Sequence, residues 1–163
     1  MRKFDAEKLI LAYELEQLLY DFAAELDLND ARDITSFYTP DAVFRAGPNV
    51  VSGADAIAEF YAQRGERVRE LQRDGKRTGR HTFLNVRVFI EDDDNATIRF
   101  TNVNYAGEGG APVLGLEGPS MVADCTMICR RVAEGQWRFA EFAPSAALIG
   151  EDDFMKKMLA LQN

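Results

Sequence analysis

Histidine is nearly missing from this chain. His81 is the only one in 163 residues, and there are just two cysteines, Cys125 and Cys129. A zinc site needs several His or Cys ligands at suitable spacing, so no metal is expected. The two cysteines lie four residues apart in a strand-like stretch, which sets their Cα atoms ~13 Å apart. A disulfide needs ~4.4–6.8 Å, so both read as small buried hydrophobes. Basic charge is also short: 19 Lys and Arg face 27 Asp and Glu, a formal net charge of −8. A phosphate-coating protein needs a basic face, as does one that docks on anionic lipid. The expected partners therefore include neither nucleic acid nor membrane. No apolar run approaches the ~20 residues that span a bilayer. The opening MRKFDAEKLILAYELEQLLYDF has acids between its apolar positions and does not read as a secretory signal, so the expected compartment is the cytoplasm. A Walker loop, a G-x-G-x-x-G turn and a G-x-S-x-G elbow are missing too. Any chemistry must come from Asp, His, Tyr, Asn or Arg, with no encoded cofactor.

What is present suits one domain over residues 1–163. Hydrophobic residues make up 47% and aromatics 10%, enough for a sizeable core. Leu11, Leu15, Leu18, Leu19, Phe22 and Leu26 form one helical face, with Asp5 as its cap and an end near Asp27. A short second helix is expected over 30–38. Short strands follow at 41–47 and at Val50-Val51. A third helix over 54–73, capped by Ser52 and Asp55, buries Ile57, Phe60, Tyr61, Val68 and Leu71 and turns a Glu/Arg-rich face, Arg64 included, to solvent. Two long hairpins come next, 80–91 with 96–106 and 121–132 with 136–143, turned at 92–95 and at Glu134-Gly135. Between them lies a glycine-rich loop, 107–119, read as a flap or a disordered excursion. An amphipathic tail helix is expected over 151–162, with Phe154, Met155, Met158, Leu159 and Leu161. This order predicts an α+β fold with helices apart from an antiparallel sheet.

Polar residues on apolar strand faces mark candidate sites. His81, Phe83, Asn85, Arg87 and Phe89 alternate on one face; Thr82, Leu84, Val86, Val88 and Ile90 form a core face. The first face reads either as a ligand pocket or as a solvated surface. Ile98, Phe100, Asn102 and Asn104 share a face in the next strand, where Asn is a poor strand former. Those amides bind a ligand or pair with backbone. Val122, Asp124, Thr126 and Ile128 share another, with Asp124 a pocket acid or the partner of Arg99 or Arg138. Asp27 caps a turn or faces the site, and Tyr13 and Tyr20 read as core aromatics.

Four segments, LYDFAAELDLNDARDITSFYTPDAVF, GADAIAEFY, RHTFLNV and GQWRFAEF, resemble the SnoaL-like branch of the nuclear-transport-factor-2-like superfamily. The resemblance runs from about Leu9 to Pro144. It implies a cone-shaped curved antiparallel sheet closed by three helices from the N-terminal half around a deep pocket, and a homodimer or homotrimer. Dehydratases of this branch use an aspartate at the end of the first helix and a histidine at the start of the first long strand. Asp27 and His81 match those positions and are the implied catalytic pair. Phe22 stands where those enzymes carry a tyrosine, and Asn104 where the bile-acid dehydratase pattern has an aspartate. With Tyr38, and with Phe83, Asn85 and Asp124 from the strand faces, these two make up the expected substrate contacts.

Those residues suit acid–base chemistry without a cofactor. A histidine titrates near neutrality, with an ordinary pKa of ~6.5, and can take a C–H proton next to a carbonyl and return it elsewhere. Asn104 or Asn85 could donate to a developing enolate oxygen. The expected activity is dehydration or a double-bond shift on a small hydrophobic cyclic or aromatic molecule. Two other readings share the resemblance: a non-catalytic β subunit of an aromatic-ring-hydroxylating dioxygenase, and a small-molecule-binding protein.

Overall fold

The computed structural model describes residues 5–160. Helix α1, Ala6–Leu28, starts where the Asp5 carboxylate accepts the Lys8 N–H at 2.9 Å and buries Leu11, Leu15, Leu19 and Phe22. Its end is tied by Glu25, whose carboxylate accepts from the Asn29 side chain and the Asp33 N–H. The expected second helix is only a 3-10 turn, Ile34–Phe37, because Asp30 and Ala31 adopt positive φ and break the helical path. Strand β1, Tyr38–Ala46, and β2, Asn49–Ser52, form a short hairpin. Helix α2, Ala54–Leu71, follows Gly53 at φ 93°, with no side-chain cap, so the expected Ser52/Asp55 pair does not form one.

The remaining strands are β3 (Arg77–Ile90), β4 (Asn95–Glu108), β5 (Met121–Ala133) and β6 (Gln136–Ile149). They join β1 and β2 in one curved six-stranded sheet of order β2-β1-β6-β5-β4-β3. All its pairings are antiparallel except β1 with β6, which run parallel. The sheet stays open, with β2 and β3 as its edges. Helix α3, Asp153–Ala160, comes from the C-terminal end, so the helices are not confined to the N-terminal half. Leu161 of the expected tail helix lies outside the described residues. Among the described residues no helix is long and apolar enough to cross a membrane.

The core lies between α1, α2 and the inner face of the sheet. Phe22 is its hub: edge-on contacts join it to Phe37, Tyr38, Phe139 and Phe142, with ring centroids 5.2–6.1 Å apart. Cys125 and Cys129 are free and buried in this core, as expected. Burial pushes the Cys125 thiol up to about 12 and the Cys129 thiol higher still, which keeps both unreactive.

A bulge in β3 changes which side chains face inward. The pairing with β4 shifts between Leu84 and Arg87, and Asn85 takes φ 55°. An extra residue reverses the alternation beyond it. Before the bulge His81 and Phe83 turn inward and Leu84 is exposed; after it Val86 and Val88 turn inward. The core face expected for 82–90 is therefore split between the two sides.

The C-terminal crossing is tightly packed. A Cβ at Gly150 would collide with the Pro119 carbonyl oxygen. Gly150→Ala is expected to destabilise the protein by about 1–3 kcal/mol, the usual cost of overpacking. Chemical denaturation should show it as a lower midpoint at unchanged slope.

Candidate functional site

The last turn of α1 packs against the first half of β3. This brings Asp27 to His81, 54 residues away in the chain. Oδ2 of Asp27 accepts the His81 backbone N–H at 2.8 Å, and Oδ1 lies 2.6 Å from the ring Nδ1. One carboxylate thus grips both the backbone and the ring. Arg80 reinforces the corner by donating to the Asp27 carbonyl oxygen at 3.3 Å. The Asp27 side chain is 9% exposed, while the His81 side chain keeps 20% of its surface open. With Nδ1–H donating to Asp27, the lone pair of the ring sits on Nε2, the nitrogen left free to act.

The walls are apolar with two buried amides. Phe83 lies beside the imidazole, its centroid 6.2 Å away, and packs on Phe100 at 4.6 Å. Asn104 stands directly across from His81 in the β3–β4 pairing, and Asn102 across from Phe83. Both amides are buried, and the Oδ1 of each lacks a hydrogen-bond partner. A buried polar atom left unpaired costs about 1–3 kcal/mol, which marks a place where a ligand group can supply the missing bond. Deeper in, Tyr38 is fully buried, and its hydroxyl makes no hydrogen bond of normal geometry although the Tyr61 hydroxyl is close by. Burial first, then the Tyr61 neighbour, hold Tyr38 well above the ordinary tyrosine pKa. Burial likewise raises Tyr61 to about 12.

The sequence-based site is therefore partly assembled. Asp27, His81, Phe83 and Asn104 come together. Phe22 and Tyr38 sit in the aromatic core rather than against the imidazole. Asn85 is exposed at the bulge, where its positive φ turns it off the inner face. Asp124 is exposed as well, because β5 turns Ala123, Cys125, Met127 and Cys129 inward. Among the described residues it pairs with neither Arg99, whose guanidinium lies over the Phe89 ring at 5.4 Å, nor Arg138. Tyr13 and Tyr20 are exposed on the outer side of α1 and are not core residues.

Two clefts among the described residues lie away from His81, and neither is the expected deep pocket. One, about 330 Å³, lies between Leu116–Ser120 and Leu148–Glu151. The other, about 250 Å³, lies between the start of α1 and the β3–β4 turn. The loop 107–119 borders the first cleft.

A cluster at the mouth of the sheet was missed. Arg77, at the start of β3, donates to Asp152 and, at 3.1 Å, to Gln72. Each side chain of the Arg77–Asp152 pair is only 6% exposed. Phe154 lies under two guanidinium groups, those of Arg77 at 4.7 Å and Arg64 at 5.8 Å. Burial alone would raise the Asp152 carboxyl, but the Ser120 hydroxyl, the Met155 N–H and Arg77 outweigh it and lower the pKa. A sequence signal existed: Arg64 falls within the apolar stripe Ile57, Tyr61, Val68, Leu71, at helical spacing.

An open curved six-stranded sheet with helices packed against it and an Asp–His pair on its inner face defines a small α+β domain. The chain belongs to the SnoaL-like domain family, whose model matches residues 7–143. Solved structures agree on the fold. A protein from Catenulispora acidiphila is 19% identical over 96% of this chain and 99% of its own, with a TM-score of 0.72. A proposed scytalone dehydratase from Novosphingobium aromaticivorans is 15% identical over 88% and 89%, TM-score 0.70. ActVI-ORFA from Streptomyces coelicolor is 16% identical over 84% and 97%, TM-score 0.69. No curated protein sequence matches the chain.

Proposed function

We propose that this protein is a cofactor-independent lyase or isomerase acting on a small hydrophobic cyclic or aromatic substrate. The observation that carries this reading is the double grip of Asp27 on His81, at 2.6 and 2.8 Å. A carboxylate that only capped a helix or paired with a surface cation would not hold one imidazole through both its ring and its backbone. Asp27 is the positioning residue: it selects the tautomer and stabilises the imidazolium formed when the ring takes a proton. His81 Nε2 removes the proton from the carbon next to a substrate carbonyl. The C–H electron pair moves into the enolate, whose oxygen the Asn104 amide can meet with a hydrogen bond. Loss of a β-hydroxyl as water then gives the unsaturated product, with the proton on His81 available to the leaving oxygen. Reprotonation at another carbon gives a double-bond shift instead. Phe83 and Phe100 exclude water, which strengthens these interactions.

The test is incubation with a panel of fused-ring β-hydroxyketones in D₂O, followed by NMR. The native protein should eliminate water or place deuterium at the carbon next to the carbonyl, and Asp27→Asn should do so more slowly. Failure of every ketone with the native protein, or activity that needs a larger iron-bearing partner, contradicts the reading. The second outcome favours a structural subunit.

A further inference from the structure

The cluster at the mouth carries one more cation than anion. Arg77 and Arg64 lie on the same aromatic ring, and among the described residues Asp152 is the one carboxylate bonded to either. The neighbouring acids are committed elsewhere: Glu108 to Arg73 and Glu151 to Lys156. Among the described residues Arg64 has no ion-pair partner. The Arg77 Nε is buried and makes no hydrogen bond. Arg64 is half-buried, and burial and the adjacent Arg77 cation both lower its pKa, as two like charges side by side do. Buried charges are ordinarily paired, and an unpaired one is costly.

We infer that Arg64 and Arg77 form a subsite for a ligand carboxylate. A carboxylate placed between them would take the free Arg77 Nε–H and neutralise Arg64, in the two-pronged geometry that guanidinium and carboxylate share. The subsite lies on the same face of β3 as the acid–base pair. Arg77, Gly79 and His81 alternate on the inward face of β3, so Arg77 and His81 are four strand steps apart, ~13 Å between Cα atoms. Gly79 lies between them, and a Cβ there would sit in ordinary contact, about 4 Å from Ala106, the Tyr105 carbonyl and the unpaired Asn104 Oδ1. A fused two-ring acid has the length to anchor at the arginines and reach Nε2. The chain itself seats an aromatic ring and a carboxylate on this cluster, Phe154 and Asp152. The inference rests on the proposed function only for what happens at the far end of the ligand; the subsite stands on binding alone.

The test compares 2-naphthoate with its methyl ester by titration calorimetry, a pair differing in the charge. The native protein should bind the acid about 10–100-fold more tightly, the range expected of charge-assisted hydrogen bonds. Arg64→Gln should bring the two within about twofold, and Arg64→Lys, which restores the charge, should recover part of the preference. His81→Asn should keep the preference whether or not His81 is the base, so turnover and anchoring are read separately. Thermal melting of each variant shows that it is folded. Equal affinity for acid and ester, no binding of naphthoate at millimolar concentration, or an undiminished preference in folded Arg64→Gln overturns the inference.

Discussion

Replacing His81 by Gln is expected to lower kcat/KM for a substrate found in the ketone panel by about 10²–10⁴-fold, the usual contribution of a positioned base. Glutamine is close in size and can still hydrogen-bond Asp27, so the loss reports proton transfer rather than collapse of the corner. The grip of Asp27 on the backbone N–H of residue 81 does not depend on that side chain and should hold the strand in place. The effect belongs in kcat more than in KM, because the base acts on the transition state and not on the bound ground state. Unchanged turnover would remove His81 from the chemistry.

The largest effect on stability is expected at Phe22. Its ring is fully buried and meets four other aromatic rings drawn from β1, β6 and the turn before β1. Phe22→Ala leaves a cavity where α1 crosses the sheet. Removal of a buried Phe costs about 3–5 kcal/mol, a large share of the ~5–15 kcal/mol that holds a domain of this kind. Equilibrium denaturation should show the loss in full. Phe22→Tyr is a different case: it adds a hydroxyl among apolar rings with no partner there, and should cost about 1–3 kcal/mol. A Phe22→Ala loss below about 1 kcal/mol would mean that the ring does not anchor the core.

The helices and long strands were legible because their signals are local. The stripe Leu11, Leu15, Leu19, Phe22 has helical period, and Ile98, Phe100, Asn102, Asn104 have strand period, and the structure buries both sets. The Asp27–His81 pairing came from a motif resemblance, since a separation of 54 residues leaves no spacing to read. One error has its cause in backbone irregularity. Asn85 was placed inward by strict alternation, but the bulge beside it changes the parity of β3. The sequence leaves Asp124 open between a pocket acid and a partner of Arg99 or Arg138, and it is exposed because the small and sulfur-bearing residues alternating with it are the ones that β5 buries. Arg64 was sent to solvent with its charged neighbours, although its place on the stripe of Ile57 and Tyr61 pointed inward. The parallel junction of β1 with β6 depends on long-range pairing that no local pattern encodes.

His81 is the only imidazole in the chain, so ¹⁵N NMR of histidine-labelled protein gives one pair of ring nitrogens. Recorded at alkaline pH, the spectrum should show Nδ1 protonated and Nε2 bare, with the preference lost in Asp27→Asn. A ring protonated at Nε2, or the same tautomer mixture with and without the Asp27 carboxylate, would contradict the account that this carboxylate arms the lone histidine.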